Sequence, residues 1–177
     1  MICLDTPRLR LTPLAPADLL PFVALHTDAR VRRYLGGALT NDRAETRLRD
    51  YLAGATSKPV WVLRPKDETR FLGTVDLQPH HDGMNMEISY LLLPDAWGHG
   101  YATEAVRALL AHAMDDLGLA CVVAETQRAN LASCRLLERC GMSRTRRLVR
   151  FGAEQVIYTI CRPPEGPPRT SSVDAGA

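Results

Sequence analysis

The chain has 177 residues, a length that suits one domain with a single sizeable hydrophobic core. Its 22 Lys and Arg residues nearly balance its 20 Asp and Glu residues, so the net charge of +2 gives no electrostatic reason to expect a nucleic-acid partner or an anionic membrane. The first residues lack the basic start and apolar stretch of a signal peptide, and no later run reaches membrane-spanning length. We therefore expect a cytoplasmic protein without nucleic-acid or membrane partners.

The cysteines argue against a metal centre and against a disulfide framework. Their number is odd, none of them forms a Cys-x-x-Cys pair, and no histidine lies beside them at metal-ligand spacing. We therefore expect no bound metal, and we expect reduced and mostly buried side chains. The five residues are Cys3, Cys121, Cys134, Cys140 and Cys161.

Hydrophobic periodicity divides the first half of the chain into short strands and helices. Strands are predicted where apolar and polar residues alternate or form short β-prone runs, and helices where apolar residues recur at helical spacing. In chain order these elements are a strand at 8–14, helices at 18–27, 28–35 and 41–52, and a hairpin of strands at 59–63 and 71–77. Thr40 or Asn41 is the expected N-cap of the third helix, and the His80-His81 pair is expected in a solvated turn.

The second half of the chain continues with longer elements. Pro94 stops a strand of two unlike faces, and Gly118 and Gly141 are the expected C-terminal stops of two amphipathic helices. In chain order the predicted elements are a strand at 84–92, a helix at 102–117, a strand at 119–124, a helix at 130–140, and strands at 147–151 and 155–161.

The last residues of the chain differ in composition from the rest. From Pro163 onward the sequence is rich in Pro, Gly and Ser and has almost nothing to bury. We expect residues 1–162 to form one domain and residues 163–177 to be a disordered tail.

A glycine-containing turn between a strand and a helix is the most informative segment. The order strand, turn, helix directs the unpaired N–H groups of a helix N-terminus at one point, where an anion binds favourably. Gly98 and Gly100 leave the backbone uncovered, so a diphosphate group can approach these amides closely. A Gly-x-Gly pair alone is equally typical of a tight turn that leads into an ordinary helix.

Three further motifs accompany this turn, and together they resemble the GNAT acetyltransferases, in particular the ribosomal-protein N-terminal alanine acetyltransferases. The turn lies in Trp97-Gly-His-Gly-Tyr-Ala-Thr-Glu-Ala105. The three further motifs are Ile88-Ser-Tyr-Leu-Leu-Leu-Pro94, Asn130-x-x-Ser133 and Glu138-Arg-Cys-Gly-Met142. The resemblance also includes the opening 6–11 segment, the 31–36 segment and residues 156–158, so it extends over nearly all of the chain except the tail.

The resemblance implies an α/β (α+β) fold with a mixed, mostly antiparallel central sheet of about six to seven strands. Helices flank this sheet, and its central strands, here 84–92 and 119–124, splay apart to admit the pantetheine arm of acetyl-coenzyme A. Acetyl-CoA is thus the expected co-substrate. By resemblance, its binding residues are Leu91, Leu92, Leu93, Trp97, Gly98, His99, Gly100, Tyr101, Ala102, Thr103, Asn130 and Ser133. A backbone N–H at the end of the first of these strands is the expected oxyanion donor.

Amide formation from a thioester requires removal of a proton from the amine and stabilisation of the departing thiolate. Glu87 lies on the polar face of the central strand and is the expected general base, directly or through a water chain; Asp76 is the competing carboxylate. The thiolate is expected to receive a hydrogen bond from Ser133 or, alternatively, from Tyr158. Asn130 is also a natural helix cap, which is compatible with a contact to coenzyme A.

The predicted function is therefore an N-acetyltransferase that acts on a primary amine. A protein or peptide N-terminal α-amine is the preferred acceptor, because the branch that the chain resembles acts there. Small amines such as antibiotics, polyamines or amino acids are the alternative acceptors, and a non-catalytic acyl-CoA sensor is the alternative function. A homodimer is common among similar proteins, but no residue pattern in this chain determines the oligomeric state.

Overall fold

One mixed β-sheet organises the molecule. The structure, a computed structural model, describes residues 2–55 and 59–163. Within these ranges eight strands pair in the order β1-β2-β3-β4-β5-β6-β8-β7. The strands are β1 (Leu4–Asp5), β2 (Leu9–Pro13), β3 (Val60–Pro65), β4 (Gly73–Pro79), β5 (Met86–Leu92), β6 (Cys121–Gln127), β7 (Ser143–Arg150) and β8 (Ala153–Cys161).

The two central strands separate, as the fold prediction requires. All neighbouring strands are antiparallel except β5 and β6, which run parallel. Their pairing is confined to Met86 with Val122 and Glu87 with Val123, so the strands diverge beyond this point. Divergence leaves a gap through the middle of the sheet.

Four α-helices in the described ranges cover both faces of the sheet. They are α1 (Leu19–Thr27), α2 (Asn41–Leu52), α3 (Tyr101–Ala111) and α4 (Leu131–Arg139). Phe22 of α1 and Leu48 of α2 pack with Val62 in one apolar cluster, whereas Val106 of α3 and Leu137 of α4 belong to a larger cluster on the opposite face. The gap in the sheet is therefore accessible from two differently built faces.

The mixed fold is confirmed, with one strand more than the upper number expected. The additional strand, β1, has only two residues, too few to show an alternating pattern. The strand predicted at 147–151 begins earlier, at Ser143, and ends before Phe151, whose positive φ of 54° places it in the turn.

Two helix predictions require correction. Residues 28–35 form turns instead of a helix: the Asp28 carboxylate accepts the N–H groups of Arg30 and Val31, and the Arg32 guanidinium binds the carbonyl groups of Leu35 and Gly37. These side-chain bonds replace the regular helical pattern. The helix predicted at 102–117 is α-helical only to Ala111 and continues as a π-helical turn through Asp116.

The prediction of reduced cysteines is wrong for one pair. Cys121 of β6 and Cys161 of β8 face each other directly in the antiparallel register and form a disulfide. Their sequence separation of 40 residues concealed this pairing. Cys134 and Cys140 are free and buried as expected, whereas Cys3 is free but exposed.

The predicted tail, residues 163–177, lies outside the described residues except for Pro163. Among the helices that the structure describes, none combines the length and the apolar character needed to cross a membrane.

Candidate active site

A large cleft passes through the gap between β5 and β6. Its volume of about 2280 Å³ exceeds the roughly 300–1,000 Å³ of a pocket for one drug-sized ligand, so there is room for two reactants. Side chains alternate along β5, so Glu87 and Leu91 face the α1–α2 side, whereas Tyr90 faces the side of α3 and α4. All three residues line the cleft.

The turn before α3 presents unpaired backbone N–H groups to this cleft. Gly98 and Gly100 both have left-handed backbone conformations, with φ of 80° and 78°, and Gly100 is the N-cap residue of α3. Within the described residues, the N–H groups of residues 98–103 donate no hydrogen bond, and the first helical bond runs from Glu104 N–H to the Gly100 carbonyl at 3.1 Å. The positive end of a helix and free donors form an anion site.

The position of the turn is fixed by contacts that its own sequence does not reveal. The Trp97 indole donates to the Leu92 carbonyl at 2.9 Å, which ties the turn to the end of β5. Arg8 donates from Nη1 to the His99 carbonyl at 3.0 Å and lies 4.9 Å from the centre of the Tyr101 ring. Arg8 thus links the turn to the start of the chain.

Glu104 joins the start of the chain to α3. Its carboxylate accepts hydrogen bonds from the Thr6 hydroxyl at 2.5 Å, from the Arg8 N–H at 2.8 Å and from Arg8 Nε at 2.7 Å. Burial opposes the charged form of this carboxylate, but the bonds from Thr6 and Arg8 outweigh it and lower the pKa of Glu104. The 6–11 segment and the helix carry these two residues, but their spacing of 96 positions gives no local signal that Arg8 and Glu104 meet at the site.

Asn130 and Ser133 stand at the N-terminus of α4. The Asn130 side-chain oxygen accepts the Ser133 N–H at 3.3 Å, which is the predicted cap, and the amide NH₂ remains directed away from this bond. The Ser133 hydroxyl is 2.8 Å from the Tyr90 hydroxyl, and burial raises the pKa of Tyr90. Tyr90 was not a predicted site residue, because on β5 its alternation alone indicated core packing.

Tyr158, the alternative donor to the thiolate, lies elsewhere. It is fully buried and does not line the cleft. Its hydroxyl accepts from Arg144 Nε at 2.9 Å and donates to Glu138 at 3.2 Å. Burial raises the pKa of Tyr158 to about 12. Of the two predicted donors, Ser133 therefore lies in the cleft, where its hydroxyl pairs with that of Tyr90, and Tyr158 does not.

We expect Ser133→Ala to lower kcat by about 10-fold, because a hydrogen bond to a group that gains charge is worth about 1.5–3 kcal/mol. Tyr90→Phe should act in the same direction, and the double variant should lose less than the sum because the two hydroxyls share one bond. The control is Tyr158→Phe, which should lower stability but leave kcat unchanged. Steady-state kinetics and thermal unfolding of the four variants test this; a loss of kcat in Tyr158→Phe alone would contradict it.

Glu87 lies on the opposite face of the same gap. Its side chain is buried, with 8% of the residue exposed, and its Oε1 accepts the Glu125 N–H at 3.4 Å. Burial raises the pKa of Glu87, and nearby His80 only partly opposes this effect. Asp76, the competing carboxylate, faces Ser89 on the neighbouring strand and also lines the cleft.

The solvated turn predicted for the two histidines is wrong for His80, which is buried between two carboxylates. Its Nε2 is 3.0 Å from Glu125 Oε2, and its Nδ1 is 3.0 Å from Asp82 Oδ2. Burial disfavours the charged ring, but these carboxylates outweigh burial and raise the pKa of His80. Arg150 donates to the same Glu125 oxygen at 2.8 Å, so a charged network supports the wall behind Glu87.

Most predicted site residues line the cleft. Exceptions are Leu93, whose N–H donates to the Leu72 carbonyl at 2.9 Å, and His99, whose exposed ring lies 5.7 Å from the Tyr101 ring while its carbonyl accepts from Arg8. The Leu93 N–H is thus already paired and is not a free oxyanion donor. The cleft-lining residues of the predicted set are Glu87, Leu91, Leu92, Trp97, Gly98, Gly100, Tyr101, Ala102, Thr103, Asn130 and Ser133.

Comparison with known proteins agrees with this architecture. The family model of the acetyltransferase (GNAT) domain matches residues 8–143, which include the turn, the capped α4 and both central strands. The chain belongs to this family. The match does not specify the ribosomal-protein alanine acetyltransferase branch.

Two curated relatives extend the comparison. The chain is 32% identical over 154 residues to the FsC-acetyl coenzyme A-N(2)-transacetylase of Aspergillus fumigatus, a match that includes 79% of this chain and 64% of that protein. The chain therefore spans slightly less than two thirds of the length of this relative. It is 26% identical over 178 residues to the N-acetyltransferase YoaA of Bacillus subtilis, with 92% and 98% coverage.

Solved structures share the fold. A GNAT-family acetyltransferase from Bacillus anthracis superposes with a TM-score of 0.80 at 19% identity, with 90% of this chain and 98% of that chain aligned. The spermidine N-acetyltransferase of Vibrio cholerae, in complex with CoA and spermine, superposes with a TM-score of 0.75 at 18% identity, with 86% and 95% aligned. At these identities the likeness concerns the fold alone.

Proposed function

We propose that the GNAT domain transfers an acetyl group from acetyl-CoA to a primary amine, preferably the α-amine of a protein or peptide N-terminus. One observation carries the proposal: the unpaired N–H groups of residues 98–103 and the buried Glu87 line a single cleft from opposite faces of the sheet. The two reactants then meet in the gap between β5 and β6. Coenzyme A lies on the α3–α4 side and the amine on the α1–α2 side.

The residues divide the reaction between the two faces. The amine nitrogen forms a bond to the thioester carbonyl carbon, and the carbon–sulfur bond breaks, giving an amide and a thiolate. The thiolate becomes the thiol by taking a proton from solvent, and the proton that the amine loses returns to solvent through its acceptor. Glu87, directly or through water, takes the proton that the amine loses. Ser133 and Tyr90 donate a hydrogen bond to the sulfur as it gains negative charge. The Trp97–Thr103 turn and Arg8 hold the diphosphate and contribute to binding instead of bond making.

An α-amine needs little assistance from a base. Its reference pKa is about 8 against about 10.4 for lysine, so a useful fraction of an α-amine is already neutral near pH 7. The resemblance to the ribosomal-protein branch supports the same acceptor. A cytoplasmic location and a homodimer belong to this proposal; light scattering of the purified chain tests the dimer.

A small amine is the second candidate acceptor. The name of the Vibrio protein describes acetyl transfer to spermidine, which is a small amine. A non-catalytic acyl-CoA sensor is less well supported, because Glu87, Ser133 and Tyr90 all line the cleft although a sensor has no need of them.

The test is incubation with acetyl-CoA and a panel of acceptors, followed by measurement of thiol release and of acceptor mass. The panel contains peptides with free α-amines, the same peptides with blocked N-termini, and small mono- and polyamines. Acetylation of free-amine peptides but not of blocked peptides supports the preferred acceptor. Acetylation of small amines alone supports the second candidate, and thiol release without any acetylated amine contradicts transfer.

A further inference from the structure

A cluster of positively charged and neutral nitrogen groups lines the cleft on the α1–α2 side. Its members are His26, at the end of α1, Arg32, in the following turns, and Arg43 and Arg47, on α2. This cationic cluster lies on the face that carries Glu87, which is the face assigned above to the amine. The steps of acetyl transfer proposed above use none of these four side chains.

Arg32 is the buried member of the cluster. Only 7% of the residue is exposed, and its guanidinium donates to the Gly37 carbonyl from Nε and to the Leu35 carbonyl from Nη2, both at 2.7 Å. These partners are neutral. Burial, with the charges of Arg47 and Arg43, lowers the pKa of Arg32, so its positive charge is not compensated by the protein.

Arg43 and Arg47 are exposed side chains of α2 whose charges act on Arg32. Their spacing places them on the same helical face, where like charges destabilise each other. The ion pairs of this region are Arg49 with Glu45 and Arg30 with Asp28. Among the described residues, no carboxylate lies at ion-pair distance from Arg32, Arg43 or Arg47, although Asp42 and Asp50 line the same side of the cleft.

His26 contributes a neutral ring to the same wall of the cleft. The residue is only 4% exposed, and within the described ranges its Nδ1 is buried without a hydrogen-bond partner. Burial first, then Arg47 and Arg32, lowers the pKa of His26 to about 3, so the ring is neutral. Because an unpaired buried N–H is rarer than an unpaired acceptor, the proton belongs on Nε2, the nitrogen that stays accessible. His26 is then a hydrogen-bond donor at the cleft.

The opposite end of the same face carries two carboxylates, one of which also binds His80 and Arg150. Glu87 and Glu125 both line it, and Glu125 Oε1 is buried without a partner among the described residues. An acceptor in this half of the cleft therefore encounters carboxylates next to the gap in the sheet and arginines farther along α2. Such a distribution of charge suits a molecule that carries both an amine and an anion.

We propose that His26, Arg32, Arg43 and Arg47 bind a carboxylate of the acceptor, so that the amine acetylated by this domain belongs to an amino-carboxylate. The proposal rests on the proposed function and specifies its substrate class. A free amino acid and a peptide with an acidic residue near its N-terminus share this chemistry. A polyamine does not, because its additional ammonium groups would meet the arginine cluster.

The test compares matched acceptors that differ only in charge. A chain-length series of ω-amino carboxylates, the corresponding ω-amino amides and the corresponding diamines are assayed together with amino acids and acidic peptides. We expect kcat/KM for the best carboxylate to exceed that for its amide by about 10-fold to 100-fold, as for a hydrogen-bonded charge pair. Equal or higher kcat/KM for amides or diamines would overturn the proposal.

Variants assign the preference to the cluster. Arg47→Gln and Arg43→Gln should each remove most of the carboxylate preference and leave both the amide rate and the KM for acetyl-CoA unchanged. The matched control is Arg49→Gln on the same helix, whose partner is Glu45 and which does not line the cleft. If Arg49→Gln lost the preference equally, a general change in charge would be responsible and the assignment would be wrong.

A binding measurement separates this proposal from the proposed function. Calorimetry with N-acetylated amino-carboxylates, which need no reaction, should give an affinity that Arg47→Gln weakens by about 10-fold and Arg49→Gln does not. If no amine is ever acetylated, the proposed function fails, while selective binding of these compounds still supports the anion site. If acetylation occurs but Arg47→Gln and Arg49→Gln bind these compounds equally well, the anion site is wrong and the proposed function still stands.

Discussion

Gly98→Asp should weaken coenzyme A binding by about 100-fold or more, which corresponds to about 2.7 kcal/mol. The added carboxylate would lie beside the free N–H groups of residues 98–103, where it would repel the diphosphate and accept those N–H groups itself. Space is not the cause, because a Cβ at Gly98 would meet nothing within 4 Å. The strain of a side chain at φ of 80° adds a cost of about 1–2 kcal/mol in stability.

The matched control for this variant is Gly118→Asp. Gly118 also has a left-handed conformation, with φ of 68°, and open space around it, but it follows the π-helical turn and does not line the cleft. Both variants should therefore lose similar stability in thermal unfolding, whereas calorimetry should show loss of coenzyme A affinity only for Gly98→Asp. An affinity of Gly98→Asp within a few-fold of the parent would mean that the diphosphate does not bind at this turn.

Glu87→Gln should lower kcat by about 100-fold or more at neutral pH, in the range expected for loss of a general base. The affinity for coenzyme A should not change, because Glu87 lies on the amine face of the gap. The control is Glu154→Gln on β8, which removes a carboxylate that is paired with exposed Arg128 and lies outside the cleft lining. Stopped-flow or steady-state kinetics and coenzyme A calorimetry distinguish the two effects.

The pH dependence gives a second measurement on Glu87. The base acts in its ionised form, and burial raises the pKa of Glu87 above its ordinary value of 4.5. kcat should therefore rise with pH through this raised pKa, and this limb should disappear in Glu87→Gln. If the profile of the variant is unaltered, a water chain without Glu87 is the base.

The stability of the fold should fall over the pH range in which kcat rises. A carboxyl group whose pKa is raised in the folded state stabilises the fold only while it is protonated, and this contribution is lost as the pH rises through the folded pKa. At neutral pH the buried ionised Glu87 is thus a cost to folding, and Glu87→Gln should unfold at the same or a higher temperature. A fall in both kcat and melting temperature would indicate a structural role instead.

Sequence patterns predict a structural feature well when that feature depends on residues close together in the chain. The N-cap position of α2 at Thr40 and that of α4 at Asn130 follow from side chains that bond to a backbone N–H three residues later. The left-handed conformations of Gly98 and Gly100 follow from a turn that has to lead directly into α3. The prediction of a helix at 28–35 was wrong, although the cause is also local. Asp28 and Arg32 bond to nearby backbone groups, and hydrophobic periodicity does not reveal such bonds.

Contacts between distant segments could not be read from the chain. The two-residue strand β1 exists only because β2 is beside it, and Cys121 meets Cys161 only because β6 and β8 pair in a particular register. Likewise, the alternation of β5 predicts Tyr90 as a core residue, whereas in the structure α4 places Ser133 against the Tyr90 hydroxyl. Ser133 could therefore be predicted as a site residue from its motif, but its partner could not.

By itself, the sequence determined the family, the glycine turn before α3 and the capped helix α4, because these depend on residue types at fixed short spacings. Only the tertiary structure decided that Arg8 and Glu104 hold the turn, that Glu87 is buried beside Glu125, and that the arginines of α2 face the same cleft. The physical reason is that strand order and the divergence of β5 from β6 set these positions. No local rule of spacing contains that information.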